Sequence, residues 1–275
     1  MRGEWRRLMR NKVSTAAEAI AGVKDGDLVA ANFWGPGTPN YLWQALSKHS
    51  AKDLTICTNN YVLRADVLKE QGVIGAALVL SQTRKVIAAF SAIQQEDASD
   101  SEEIARRVQE GTLEFESIPH GVFIERLHAG AMRLGGIYCP IGIGTLVEEG
   151  RETRVINGVK YIFQEPIVPD VGLISADKAD KLGNLVYHGT ARAANPIIAM
   201  SSKYTVAEVF EIVEPGELEP DTIVTPGAFV DRIVLIPEDD PGSRRRRAER
   251  TLTSIRYRQQ KLAEAAAIAA QGGQA

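Results

Sequence analysis

"LVAANFWGPGTPNYLWQAL" (residues 28–46) decides how this chain is read. The apolar run Leu28 to Ala31 ends at Asn32 and Phe33, and Gly35-Pro36-Gly37 follow at once. The run lacks polar alternation, which predicts a strand covered on both faces. Thr38 is the predicted cap of the next helix, with Pro39 at its first position, where a missing N–H costs nothing. That helix runs to about Ser47 and carries Leu42 and Leu46 at helical spacing. A strand, a glycine turn and a helix N-terminus bring unpaired N–H groups and a favourable dipole to one point. In an open parallel sheet such turns lie beyond the carboxyl ends of the strands, where ligands bind. Asn32, Phe33, Trp34, Gly35, Pro36 and Gly37 are therefore the candidate ligand-binding stretch, against the competing reading of an ordinary strand–helix turn.

Outward from this stretch the same rhythm repeats. Thr15-Ala16-Ala17-Glu18 has the form of a capping box, and Asp25-Gly26 ends the short helix that follows. LTICT (54–58), VIAAF (86–90), LEFESI (113–118) and GIYC (136–139) are predicted strands, with helices near 62–71, 101–110 and 121–133. Strands alternating with helices predict an α/β fold with an open, mostly parallel sheet and helices on both faces. The pattern then changes to a β-hairpin-rich insertion, with Asn157-Gly158 as the turn between Val155 and Phe163. Further strands are expected over 171–175, 185–187 and 205–209, with a helix near 195–202. After Asp240 the composition shifts to Arg244 to Arg247 and then to an alanine-rich run. This divides the chain into a domain over 1–240 and a basic, helical or flexible tail over 241–275.

The totals narrow the function classes. At 275 residues and 44% hydrophobic content the chain can bury a large core, and a net charge of −3 gives no global basic field for nucleic acid. Two cysteines, Cys57 and Cys139, both in apolar runs, read as buried free thiols in a reducing cytosol. No apolar run reaches membrane-span length and the N-terminus lacks a signal-peptide core, so a cytoplasmic protein without membrane contact is expected. Four scattered histidines and two distant cysteines give no metal-ligand spacing, and no Gly-x-Ser-x-Gly elbow is present. His120 either faces the site or is a satisfied turn histidine, whereas His128 and His188 read as structural. Gly142 and Gly144 mark either a second ligand-facing turn or a tight bend.

Five segments in order resemble the A subunit of family I coenzyme A transferases. Asp25-Gly26, the strand, the aromatic, Gly35, Gly37 and Pro39 resemble its "D-G … G-G-F-G … G-x-P" signature, with Ala31-Asn32 or Asn32-Phe33 where paired glycines stand. In one register Trp34-Gly35 matches the family's Phe-Gly, and in the other Phe33 matches the Phe. SIPHGVFIERLHAGAMRLGG (117–136) is similar to "P-Q-G-x-x-x-E-R-x-R-A-G", with His120 replacing Gln. PIGIGTLVEEGRET (140–153), ADKADKLGNLVYHGTARAANP (176–196) and VEPGELEPDTIVTPGAFVDRIV (213–234) resemble three further family segments.

The resemblance implies ping-pong transfer of CoA between an acyl-CoA and a small carboxylic or 3-oxo acid. A glutamate attacks the thioester, passes through an anhydride and holds CoA as a glutamyl thioester. In the family that nucleophile belongs to the B subunit, so no catalytic residue is assigned to this chain, which is expected to be half of a heterodimer or heterotetramer. Glu110 and Glu149 end polar segments and do not stand at the strand-to-loop junction that the nucleophile's motif requires, and Glu125, Glu148, Glu149 and Glu165 read as solvated or paired charges. Asn184, Arg192 and Asn195 read as a buried polar network or an inter-subunit contact. CoA thioester is implied as substrate, with no tightly bound cofactor. The alternatives are one subunit of a related hydrolase that cleaves carbon–carbon bonds in CoA thioesters, and a ligand-sensing module of the same fold.

Overall fold

The computed structural model of the chain describes residues 11–32, 37–61, 76–90 and 99–240 and the single position 259. The predicted helix near 62–71, the stretch Phe33 to Pro36 and all but one position of the 241–275 tail lie outside them.

The capping box forms as the sequence predicts. Thr15 accepts from the Glu18 N–H and Glu18 returns a bond to the Thr15 N–H, opening helix α1 (Ala16–Ile20). Strand β1 (Leu28–Ala31) follows, then α2 (Asn40–Ser47), β2 (Leu54–Asn60), a 3₁₀ helix over Ala76–Gln82 and β3 (Thr83–Phe90). Helix α3 (Ser99–Gln109), β4 (Glu114–Ser117) and α4 (His120–Ala131) complete the repeating part. Beyond it come β5 (Ile137–Cys139), β6 (Thr153–Ile156), β7 (Val159–Gln164), β8 (Val171–Asp180), β9 (Leu185–Val186), α5 (Asn195–Ser201), β10 (Tyr204–Val213) and β11 (Arg232–Leu235).

Among the described residues the main sheet runs β11-β10-β8-β1-β2-β3-β4, all parallel, with β9 antiparallel beside β8. Side chains divide by the twofold period of a strand. Val29, Ile56, Val86, Leu173 and Val206 join the core under α1 and α2, while their neighbours Ala30, Cys57, Ile87, Ile174 and Ala207 join the core under α4 and α5. Because both faces are covered, these strands show no alternation in the sequence.

Two expectations change. The sequence rhythm makes GIYC a further strand of the parallel sheet, but β5 pairs antiparallel with β7 in a separate three-stranded sheet of order β5-β7-β6. Three residues are too few to signal direction, and the neighbouring hairpin offers a free edge. That hairpin turns on Asn157 and Gly158, both at positive φ (52° and 79°), as a two-residue primed turn needs. Cys57 is a buried free thiol, pushed up to about 12 by burial, whereas Cys139 is only half-buried. No described helix is long and apolar enough to cross a membrane.

Candidate functional site

Strand order places β1 between β2, which follows it in the chain, and β8, which arrives much later. Such a reversal opens a crevice at the carboxyl ends of the strands. A cavity of about 700 Å³ lies there. Strand ends supply Asn32, Asn59 and Phe90, and α4 supplies His120, Phe123, Ile124 and His128. The turn before α5 and its first residues supply Ala193, Ala194, Pro196 and Ile197.

Asn32 and Asn59 are neighbours because each stands two residues beyond the Ala30–Cys57 register pair. Both are buried. His120, the first residue of α4, is exposed at the mouth, and its Nδ1 hydrogen-bonds Asn59 Oδ1. Of its two sequence readings, the histidine is both partnered and cavity-lining. Phe123 is fully buried and turns one face of α4 into an apolar wall. His128 sits at the rim, 3.4 Å from Glu125.

Of the six candidate residues, Asn32 lines the cavity, Phe33 to Pro36 are outside the described residues, and Gly37 is buried beside the cavity without lining it. A Cβ on Gly37 would come within 2.4 Å of the Ala191 carbonyl oxygen and 2.8 Å of Asn195 Nδ2. Asn195 Nδ2 donates to the Gly37 and Ala191 carbonyls at 3.0 Å each, and Asn195 Oδ1 accepts from the Ser175 N–H at 3.2 Å. Ser175 in turn donates its hydroxyl to Glu208 Oε1 at 3.2 Å, its cross-strand partner on β10. Glu208 is fully buried, and its other carboxylate oxygen accepts from the Leu42 N–H at 2.9 Å.

This network corrects one local expectation. The N-cap of α2 is Pro39, with no side-chain cap bond, and the helix begins at Asn40. The first-turn N–H of Leu42 is met instead by a carboxylate from the other end of the chain, where the helix dipole also favours negative charge. Asn195 thus belongs to a buried network. Asn184 forms a turn with Asp180 (Nδ2 to Oδ2, 2.7 Å) and accepts from the Gly227 N–H, and Arg192 is exposed. Gly142 and Gly144 close a tight bend, with the Thr145 N–H on the Gly142 carbonyl at 3.2 Å and the Gly144 N–H on Glu148 at 2.7 Å. Glu148 also pairs with Lys160.

Sequence reasoning missed Asn59, Phe90, Phe123, Ile124, Ile197 and Glu208. Glu208 carried a signal, a charged residue flanked by Val206, Ala207, Val209 and Phe210, whereas Asn59 sits in the polar end of β2 (Thr58-Asn59-Asn60) and did not stand out. The apolar lining carried none, because a cavity wall and a core face have the same composition.

Residues 13–235 match the family described as Coenzyme A transferase. The chain belongs to the coenzyme A transferase family. The alpha subunit of acetate CoA-transferase from Escherichia coli (strain K12) is 37% identical over 231 residues, covering 84% of this chain and 99% of that one. The A subunit of 3-oxoadipate CoA-transferase from Pseudomonas putida is 38% identical over 232 residues, covering 83% and 95%. Among solved structures, glutaconate coenzyme A-transferase from Acidaminococcus fermentans superposes with a TM-score of 0.65 at 22% identity, covering 83% of this chain and 77% of that one. An acyl-CoA transferase from Escherichia coli O157:H7, solved as a thioester complex with CoA, gives 0.67 at 20% identity. This chain spans about half (48%) of that one. At such identities the superpositions speak to fold, and they place the same open α/β sheet in coenzyme A transferases.

Proposed function

We propose that this chain is the A subunit of a heteromeric CoA-transferase that moves CoA between an acyl-CoA and a carboxylic or 3-oxo acid. The observation that carries the proposal is the cavity at the carboxyl ends of β1, β2 and β3, lined by Asn32, in a chain of this family. The thioester carbonyl is attacked by a glutamate of the B subunit. The carbon–sulfur bond breaks, thiolate leaves and an anhydride forms. The thiolate then attacks the glutamyl carbonyl, releasing the acid and leaving CoA on the glutamate until an acceptor carboxylate reverses the sequence.

The present chain supplies the surroundings. Asn32, Phe33, Trp34, Gly35, Pro36 and Gly37 are proposed as the ligand-binding stretch, with the N–H groups around Trp34 to Gly37 meeting the oxyanion, where one such donor is commonly worth about 10²–10³ in rate. CoA thioester enters as substrate, with no tightly bound cofactor, metal, nucleic acid or membrane taking part. The complex is a heterodimer or heterotetramer in the cytoplasm, formed by the domain over 1–240 with the tail over 241–275 outside the transfer chemistry.

Borohydride added after acyl-CoA treatment of the complex tests this, because the glutamyl thioester is electrophilic. One glutamate of the B subunit should be reduced and none in this chain. The chain alone should neither exchange CoA nor form an adduct. Labelling of a glutamate here, or exchange by the single chain, overturns the assignment.

A further inference from the structure

We infer that the cavity selects an apolar acyl group, branched or aromatic, over both a two-carbon acid and a dicarboxylic acid. This deepens the transferase proposal and rests on it. The cavity is divided in kind. Its polar groups, Asn32, Asn59 and His120, come from the carboxyl ends of β1 and β2 and the first residue of α4. Its wall is hydrocarbon: Phe123 and Ile124 from α4, and Pro196 and Ile197 from α5. Phe90 adds an aromatic ring that is 51% exposed, a surface that a bound apolar group would cover.

Size and charge both favour this class. The volume of about 700 Å³ is well inside the range of small-molecule sites, and far more than a two-carbon acid fills when a water takes about 30 Å³. Unfilled apolar space gives a short acid no contacts to gain. Among the described residues the lining holds no Lys, Arg, Asp or Glu. His128, the remaining ionisable group at the rim, is shared with Glu125. A carboxylate or thioester can lie against the amides and imidazole at the polar end. A second carboxylate against the hydrocarbon wall would meet no cation among the described lining residues and would displace water from apolar surface without compensation, which is unfavourable.

The test uses the complete complex with the B subunit, one acyl-CoA donor, and acetate, succinate, isovalerate, hexanoate and phenylacetate as acceptors. The expected kcat/KM rises from acetate by about fourfold per buried methylene. Isovalerate or phenylacetate should exceed succinate by about 100-fold, the scale on which a site's polar mismatch is rejected. Ile197→Arg supplies the missing cation and should shift the ratio towards succinate at least about tenfold, the scale of one charged hydrogen bond. Should that variant fail to fold, Ile197→Ala should lower kcat/KM for the apolar acids more than for acetate. Exchange that proceeds but prefers acetate or succinate overturns the inference and leaves the transferase proposal standing. Ratios unmoved by either variant overturn it too, pointing to a cavity filled by the B subunit. If no acid is exchanged and no adduct forms, the transferase proposal has failed instead. Calorimetric titration of isovalerate and phenylacetate into the complex then decides: binding weakened by Ile197→Ala supports the apolar site, and no binding overturns it.

Discussion

Asn195 holds Gly37 from across the fold, its Nδ2 donating 3.0 Å to the Gly37 carbonyl while its Oδ1 accepts from Ser175 on β8. One side chain thus ties the turn after β1 to the start of α5 and to a neighbouring strand. Asn195→Asp exchanges the two donors for acceptors facing the Gly37 and Ala191 carbonyls. The expected result is a loss of about 1–3 kcal/mol, with activity of the complex falling alongside, measured by denaturant titration and initial rates.

Gly37→Ala is a sharper test of the same contact. Its Cβ would stand 2.4 Å from a backbone oxygen, which cannot rotate away as a side chain can. Overpacking of this kind costs about 1–3 kcal/mol. A variant with unchanged melting temperature would show that the turn does not pack on Ala191.

Much of this was legible in the sequence, for identifiable reasons. Parallel strands buried on both faces appear as apolar-rich runs, so β1, the Leu54–Thr58 part of β2 and the Val86–Phe90 part of β3 were readable from Leu28, Leu54 and Val86 onward. The Asn157-Gly158 turn was readable because few other pairs adopt positive φ twice. The pairing of Gly37 with Asn195 was not, since 158 positions separate them and no periodicity links a turn to a distant amide. The cap on α2 failed for the same reason, as Glu208 lies 166 positions away from Leu42.

Glu116 should govern part of the acid stability. Burial alone would raise its carboxyl, but the Arg126 hydrogen bond at 2.8 Å and its charge, then Lys85, outweigh burial and hold it at about 2 against an ordinary 4.5. The folded-state value is the lower one, so the stabilisation is complete above about 4.5 and is lost as pH falls towards about 2. Its size is about 3 kcal/mol. Glu116→Gln should lower stability at neutral pH and flatten the profile across that window in urea unfolding at stepped pH.

Ala193 carries strain beside the cavity. Its φ of 38° and ψ of −133° belong to a region that favours glycine. Ala193→Gly should raise stability by about 1 kcal/mol through relief of that strain, less the entropy glycine loses on folding. A lower melting temperature would mean that the methyl group's packing outweighs the strain.

His120 offers the last test, since it meets both the fold and the cavity. Its Nδ1 is committed to Asn59, leaving Nε2 as the ring nitrogen available to a ligand at the mouth. His120→Leu removes both functions, stranding the buried Asn59 amide, so kcat/KM of the complex should fall by about tenfold or more, the scale of one hydrogen bond lost from a site built for it. His120→Asn places an amide nitrogen at the head of α4, as far from Cα as Nδ1, able to reach Asn59 but with no group at the Nε2 position. If His120 serves only to hold Asn59, Asn restores wild-type rates. If Nε2 also meets the ligand, Asn recovers the melting temperature lost in Leu yet keeps a raised KM. Identical rates in all three proteins would remove His120 from the site.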